Sequence, residues 1–226
     1  MKLTFLRIPN KILLMLDPQI NKSEFILSLM IINLFMLSFN NRRTVIKVRA
    51  DHIHNNDLNT STINKHLKQL ILNLVGRKLI CINEKSPTVV LFEKIERTND
   101  HYEIEINSMV RKIIKSENDF TIIEIQQINQ LKKYQMIRFY CLIKMWANNK
   151  YYICYIQWLK WYLNTQDIET KNLLNLYITD YLEKLKQLKI IVKMTKHKKE
   201  TDKREITKLI FDIFDTNTYE VNNEGI

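Results

Sequence analysis

Three stretches carry residue types that could do chemistry. The run Thr195-Lys196-His197-Lys198-Lys199-Glu200-Thr201-Asp202-Lys203-Arg204 is dense in cations. Lys196, His197, Lys198, Lys199, Lys203 and Arg204 on one turn suit phosphate oxygens, which attract positive charge whatever the base sequence. Thr60, Ser61, Asn64, Lys65 and Lys68 share one side of a helical pattern. Hydroxyl, amide and amine groups at that spacing can meet base edges in a major groove. Lys171, Asn172 and Asn175 offer the same chemistry near the start of a later helical pattern.

A catalytic reading competes with these. His52-Ile53-His54 matches a metal-binding histidine pair, and Tyr181 with Lys184 matches the nucleophile pattern of rolling-circle nicking enzymes. In such enzymes the metal polarises a phosphodiester that tyrosine attacks. The context does not fit. The histidine pair lies in a polar stretch ahead of a helix instead of on a strand, and Tyr181 falls on an apolar stripe. His66, His101 and His197 form no spaced cluster, and Gly76 and Gly225 cannot build a phosphate-binding glycine loop. Cys81, Cys141 and Cys154 are far apart, so neither a zinc site nor a disulfide framework is expected. The expectation is a protein with no catalytic site, no metal and no cofactor.

The bulk numbers agree with a nucleic-acid partner. The chain has 226 residues and a formal net charge of +11, which favours nucleic acid first and an anionic membrane surface second. Dispersed cysteines in apolar surroundings fit a reducing cytoplasm. Residues 25–39 carry no charge but are too few to span a bilayer, which needs about 20 apolar residues. They read as a buried core helix, so no membrane role is expected.

The elements that position these residues can be read in order. Ser23 and Glu24 look like the cap of the helix over 25–39. Strand 44–48 comes next, then a short helix over 49–55. The helix over 60–74 has Ile63, Leu67, Leu70, Ile71 and Leu74 as its apolar stripe, with Gly76 as its stop. Strands are expected at 79–83, 89–96 and 101–106. Short helices are expected at 108–115 and 122–130. The strongest helix covers 132–146, with Met136, Phe139, Tyr140, Ile143 and Trp146 on one face. Residues 151–163 are rich in aromatics. Tyr155, Trp158 and Tyr162 at helical spacing read as core packing and not as a base-stacking platform. A long helix at 169–188 carries Leu174, Ile178, Tyr181, Leu185 and Leu188, and two strands at 189–194 and 205–214 flank the basic run. Residues 215–226 read as a flexible tail. Apolar helix, short helix, long helix and paired strands occur twice. The expected fold is therefore α+β, mostly helical, as two tandem winged helix-turn-helix domains over 1–118 and 119–214. A plain transcriptional regulator would share the surface chemistry, but one regulator domain would not explain the second pattern.

Several segments resemble the initiator Rep proteins of iteron plasmids, the Rep type 3 family. They are Leu91-Phe92-Glu93-Lys94-Ile95, Tyr102-Glu103-Ile104-Glu105-Ile106, Phe120-Thr121, Tyr134 with Arg138-Phe139-Tyr140-Cys141-Leu142 after it, and the closing strand over 206–214. The resemblance implies a non-enzymatic protein that binds repeated double-stranded sites at a plasmid origin as a monomer. It further implies cooperation with a host replication initiator and helicase, and a homodimer, formed through the first domain, that represses its own promoter. One departure is plain: Ile178-Thr179-Asp180-Tyr181 stands where the family's second reading helix carries a basic run. That moves expected base contact toward Lys171, Asn172 and Asn175, or onto the basic turn.

Overall fold

A computed structural model describes residues 4–38, 45–49, 68–69, 71–74, 76, 78–79, 89–98, 101–199 and 205–215. The chain divides into two units, Met1–Tyr134 and Gln135–Ile226. The first is built on the apolar helix Lys22–Ser38, buried on nearly every side through Phe25, Leu29, Ile31, Ile32 and Phe35. Its cap is not Ser23. The Asn21 side chain accepts from the Glu24 backbone N–H at 2.9 Å, and Glu24 accepts from the Asn21 N–H at 3.1 Å. This is a reciprocal capping box that starts two residues before the predicted cap. The polar residues inside the helix have partners. Ser28 donates to the Glu24 carbonyl, and Asn33 accepts from the Arg7 backbone N–H at 2.9 Å.

That last bond ties the helix to β1 (Phe5–Pro9), which pairs antiparallel with β7 (Phe120–Glu124). The short helix expected over 122–130 is corrected by this pairing. Ile122–Glu124 is strand, and only Ile125–Gln130 is helical. Thr121 and Ile123 face inward while Ile122 faces out, a period of two too short to read locally. The partner strand lies more than a hundred residues upstream. β7 therefore belongs with the first unit and not with the helix Tyr134–Trp146.

A second sheet has the order β2 (Val45–Val48), β6 (Tyr102–Ile106), β5 (Phe92–Arg97). The strand expected over 89–96 is broken. β4 (Val89–Val90) pairs instead with β3 (Lys78–Leu79), and the chain bends at buried Leu91, whose carbonyl accepts from the Asn107 N–H at 3.2 Å. Residues 68–69 and 71–74 are helical, with Ile71 and Leu74 buried as predicted. Gly76 comes after them with φ +77°, the left-handed conformation that a helix stop favours. Of the short helix expected at 49–55 only Arg49 is described, and it is not helical; the start of the helix over 60–74 lies outside the described residues, as does the tail beyond Asp215, which itself ends a strand.

In the second unit the helix Tyr134–Trp146 buries Met136, Phe139, Tyr140 and Ile143 as expected. Phe139 packs against Tyr181 and Phe211 at ring-centroid distances of 5.7 and 5.6 Å. Arg138 is also fully buried, its guanidinium 4.1 Å from the Tyr162 ring centroid. Residues 151–163 are not one helix but β8 (Tyr151–Tyr155) and the helix Ile156–Tyr162. Tyr162 is core, whereas Tyr155 is 61% exposed, against the core role its helical spacing predicts. β8 pairs with β10 (Ile206–Asp215), which pairs with β9 (Ile190–Lys198), all antiparallel.

The expectation of a mostly helical chain in two tandem winged helix-turn-helix domains is corrected by these findings. The described residues are 51% helical and 31% strand. The described strands form four small sheets, three within the first unit and one within the second. Among the described residues the two units thus do not repeat one pattern, and only the broader α+β class holds. The duplication in the sequence comes from similar local apolar periods, which carry no information on pairing between distant strands.

Candidate nucleic-acid interface

The second unit positions two polar surfaces. One is a helical rod, Thr170–Asn172 continuing through a π-helical turn, Leu173–Ile178, into Thr179–Gln187. Leu173, Leu174, Ile178, Tyr181 and Leu185 face the core, and Leu188 just past the end is buried as well. The opposite side exposes Lys171, Asn172, Asn175, Leu176, Thr179, Asp180 and Lys186. The wide turn is tied by Thr179, whose hydroxyl donates to the Leu174 carbonyl five residues back at 3.0 Å. π turns frequently mark functional segments. The rod is entered through Asn164, at φ +53°, and left through Lys189, at φ +64°.

The other surface is the hairpin of β9 and β10. The helix Thr179–Gln187 packs on β9. Along β9 the inward positions end early: Ile190 is buried and Val192 and Met194 half-buried, but Thr195, Lys196, His197 and Lys198 are all exposed. The end of β9 therefore turns to solvent, while the β10 residues beside it stay packed, with Leu209 buried and Ile206 and Lys208 half-buried. Lys196 stands opposite Leu209, His197 opposite Lys208, and Lys198 opposite Ile206. The register slips between Ile206 and Lys208, an irregularity that twists such an arm.

Lys199 is engaged differently. Its backbone N–H donates to the Glu205 carbonyl at 2.8 Å and its ammonium pairs with the Glu205 carboxylate at 3.1 Å. It closes the hairpin and part of its charge is matched, so Lys196 and Lys198 are the cations best presented to a phosphate. Lys68, exposed on the first unit, stands on the helical stretch around 68–74. Thr60, Ser61, Asn64, Lys65, Lys203 and Arg204 lie outside the described residues. The pair His52 and His54 does too.

Sequence reasoning missed Lys193, Lys208 and Leu176 as surface groups of this unit. Lys208 becomes a neighbour of the arm only through the strand register, which opposes it to both His197 and Tyr155. Among the described residues no cluster of His, Cys, Asp or Glu could hold a metal ion. No described helix is long and apolar enough to cross a membrane. Burial pushes the Cys141 and Cys154 thiols up to about 12, which leaves them protonated and unreactive near neutral pH.

Two α+β units, a strong positive balance and a lysine-rich arm beside a polar-faced helix have the surface chemistry of a polyanion-binding protein. The family described as Initiator Replication protein, WH1, matches residues 15–144, more than half of the 226-residue chain. The chain belongs to this family of replication initiators. No curated protein matches the chain. The family match ends within the helix Tyr134–Trp146, so the rod and the arm lie beyond it.

Proposed function

We propose that this initiator binds repeated double-stranded sites (iterons) at a plasmid origin, as a monomer, without catalysis and without a cofactor. The observation that carries the reading is the β9–β10 arm, where Lys196, His197 and Lys198 are exposed beyond the last buried residue of the strand. Such an arm can lie along phosphates while Lys171, Asn172 and Asn175 of the neighbouring rod meet base edges. Bound there, the initiator cooperates with the host replication initiator and helicase. A homodimer of the same chain represses its promoter. Tyr181 supports a binding role over nicking. It is fully buried, and burial, with the charges of Asp180 and Tyr177 behind it, pushes its phenol far above the ordinary range. A nucleophile in that position has no access to a phosphodiester.

The test is titration of the full chain against a labelled duplex carrying direct repeats from beside its gene, at several salt concentrations. Replacing Lys196 and Lys198 by Ala weakens binding to every sequence alike and lowers the salt slope by about 0.9 for each lost phosphate contact. Asn172→Ala or Asn175→Ala instead relaxes sequence preference, each lost base contact costing about 1–3 kcal/mol. An unchanged slope in the double-lysine variant removes the arm from the interface.

A further inference from the structure

The sheet β8–β10–β9 has a second face that the duplex reading touches only at His197. Register places Tyr151, Ile153 and Tyr155 of β8, Lys208, Ile210, Asp212 and Phe214 of β10, and Ile191, Lys193, Thr195 and His197 of β9 together on it. The alternate residues Cys154, Leu209, Phe211 and Ile213 are the ones buried. The opposite side is left open: Tyr151 is 58%, Tyr155 61%, Ile153 51% and Phe214 50% exposed. Exposed aromatic and aliphatic side chains this dense on one sheet face are unusual for a surface with no partner.

Cations are interleaved with the rings. The Lys208 ammonium lies 4.9 Å from the Tyr155 ring centroid, and Lys193 lies 5.6 Å from that of Phe214. Asp212 is the one acid among the described positions of this face. We propose that this face is a stacking platform for single-stranded nucleic acid. Every unpaired base has an apolar π face that an exposed ring can cover, and neighbouring lysines meet the backbone phosphates. A duplex is a poor occupant, because its base faces are already stacked on each other. A second copy of the chain is also a poor occupant, since it would bring Lys193 and Lys208 against the same cations. Tyr151 and Tyr155 stand about 13 Å apart along the strand, which lets one strand of nucleic acid touch both.

The experiment uses the full chain and a fluorescein-labelled single-stranded oligonucleotide of mixed sequence, with the repeat duplex as the comparison. Tyr151→Ala with Tyr155→Ala weakens single-strand binding at least about fivefold for each ring lost, while duplex binding is kept. Tyr151→Phe with Tyr155→Phe retains single-strand binding, because the ring and not the hydroxyl stacks. Photocrosslinking of a bromouridine-substituted strand to the unaltered protein gives adducts at Tyr151, Tyr155 or Phe214, and needs no variant to fold. Three results overturn the proposal: equal single-strand affinity in the alanine variant, adducts confined to other residues, or a variant that alters only self-association. Failure of the duplex reading is distinct, since it shows as a salt slope left unchanged when Lys196 and Lys198 are replaced.

Discussion

Tyr181 sits among Phe139, Tyr177 and the core of the second unit, and its hydroxyl has no hydrogen-bond partner among the described residues. A buried hydroxyl without a partner costs about 1–3 kcal/mol of desolvation that nothing offsets. Its ring is what the fold uses. Tyr181→Phe keeps the ring and removes the polar atom, so it should raise stability by about 1 kcal/mol. The urea midpoint then moves up with no change of slope, and binding to the repeat duplex stays as it was. A lower midpoint would mean that the hydroxyl finds a partner in solution. Loss of an activity on DNA in this variant would restore the nicking chemistry that the tyrosine pattern first raised.

The helix Lys22–Ser38 depends on how it starts. Asn21 and Glu24 satisfy each other's backbone N–H groups, and Glu24 is itself buried. Asn21→Ala removes the cap and should cost about 1 kcal/mol, read as a fall in denaturant midpoint. Asn21→Ser should recover most of it. Elements of this kind are legible in sequence, because a long amphipathic or fully apolar helix states its period many times over. The helices Tyr134–Trp146 and Thr170–Gln187 can be read for that reason, and so can the stop at Gly76. Short strands cannot. Tyr151–Tyr155 alternates, but five residues next to a helical aromatic run give either period. Phe5–Pro9 and Phe120–Glu124 become strands only by finding each other across the chain. The same limit governs the candidate site. The basic run at Lys196 to Lys199 stands out in any reading, whereas the face shared by Tyr151, Tyr155, Lys208 and Phe214 exists only once three strands are in register.

At the scale of the whole molecule, the division at Tyr134 and Gln135 has a physical basis within the second unit. Its sheet is complete without the first: β8, β10 and β9 pair only with one another among the described strands. Its core is also its own, with Phe139, Tyr140, Leu159, Tyr162, Leu174, Tyr181, Leu185, Leu209 and Phe211 all essentially inaccessible to solvent. A fragment spanning 132–226 should therefore unfold in one cooperative transition by circular dichroism, as small single domains usually do. It carries the arm, so it should bind the repeat duplex with a measurable salt slope. The full chain should show a steeper slope, because Lys68 and the other cations of the first unit are missing from the fragment, and each phosphate contact contributes about 0.9. Equal slopes would confine duplex binding to the second unit. A fragment that fails to melt cooperatively would show that this unit depends on the first for its fold, and that the family-matched region stabilises more than itself.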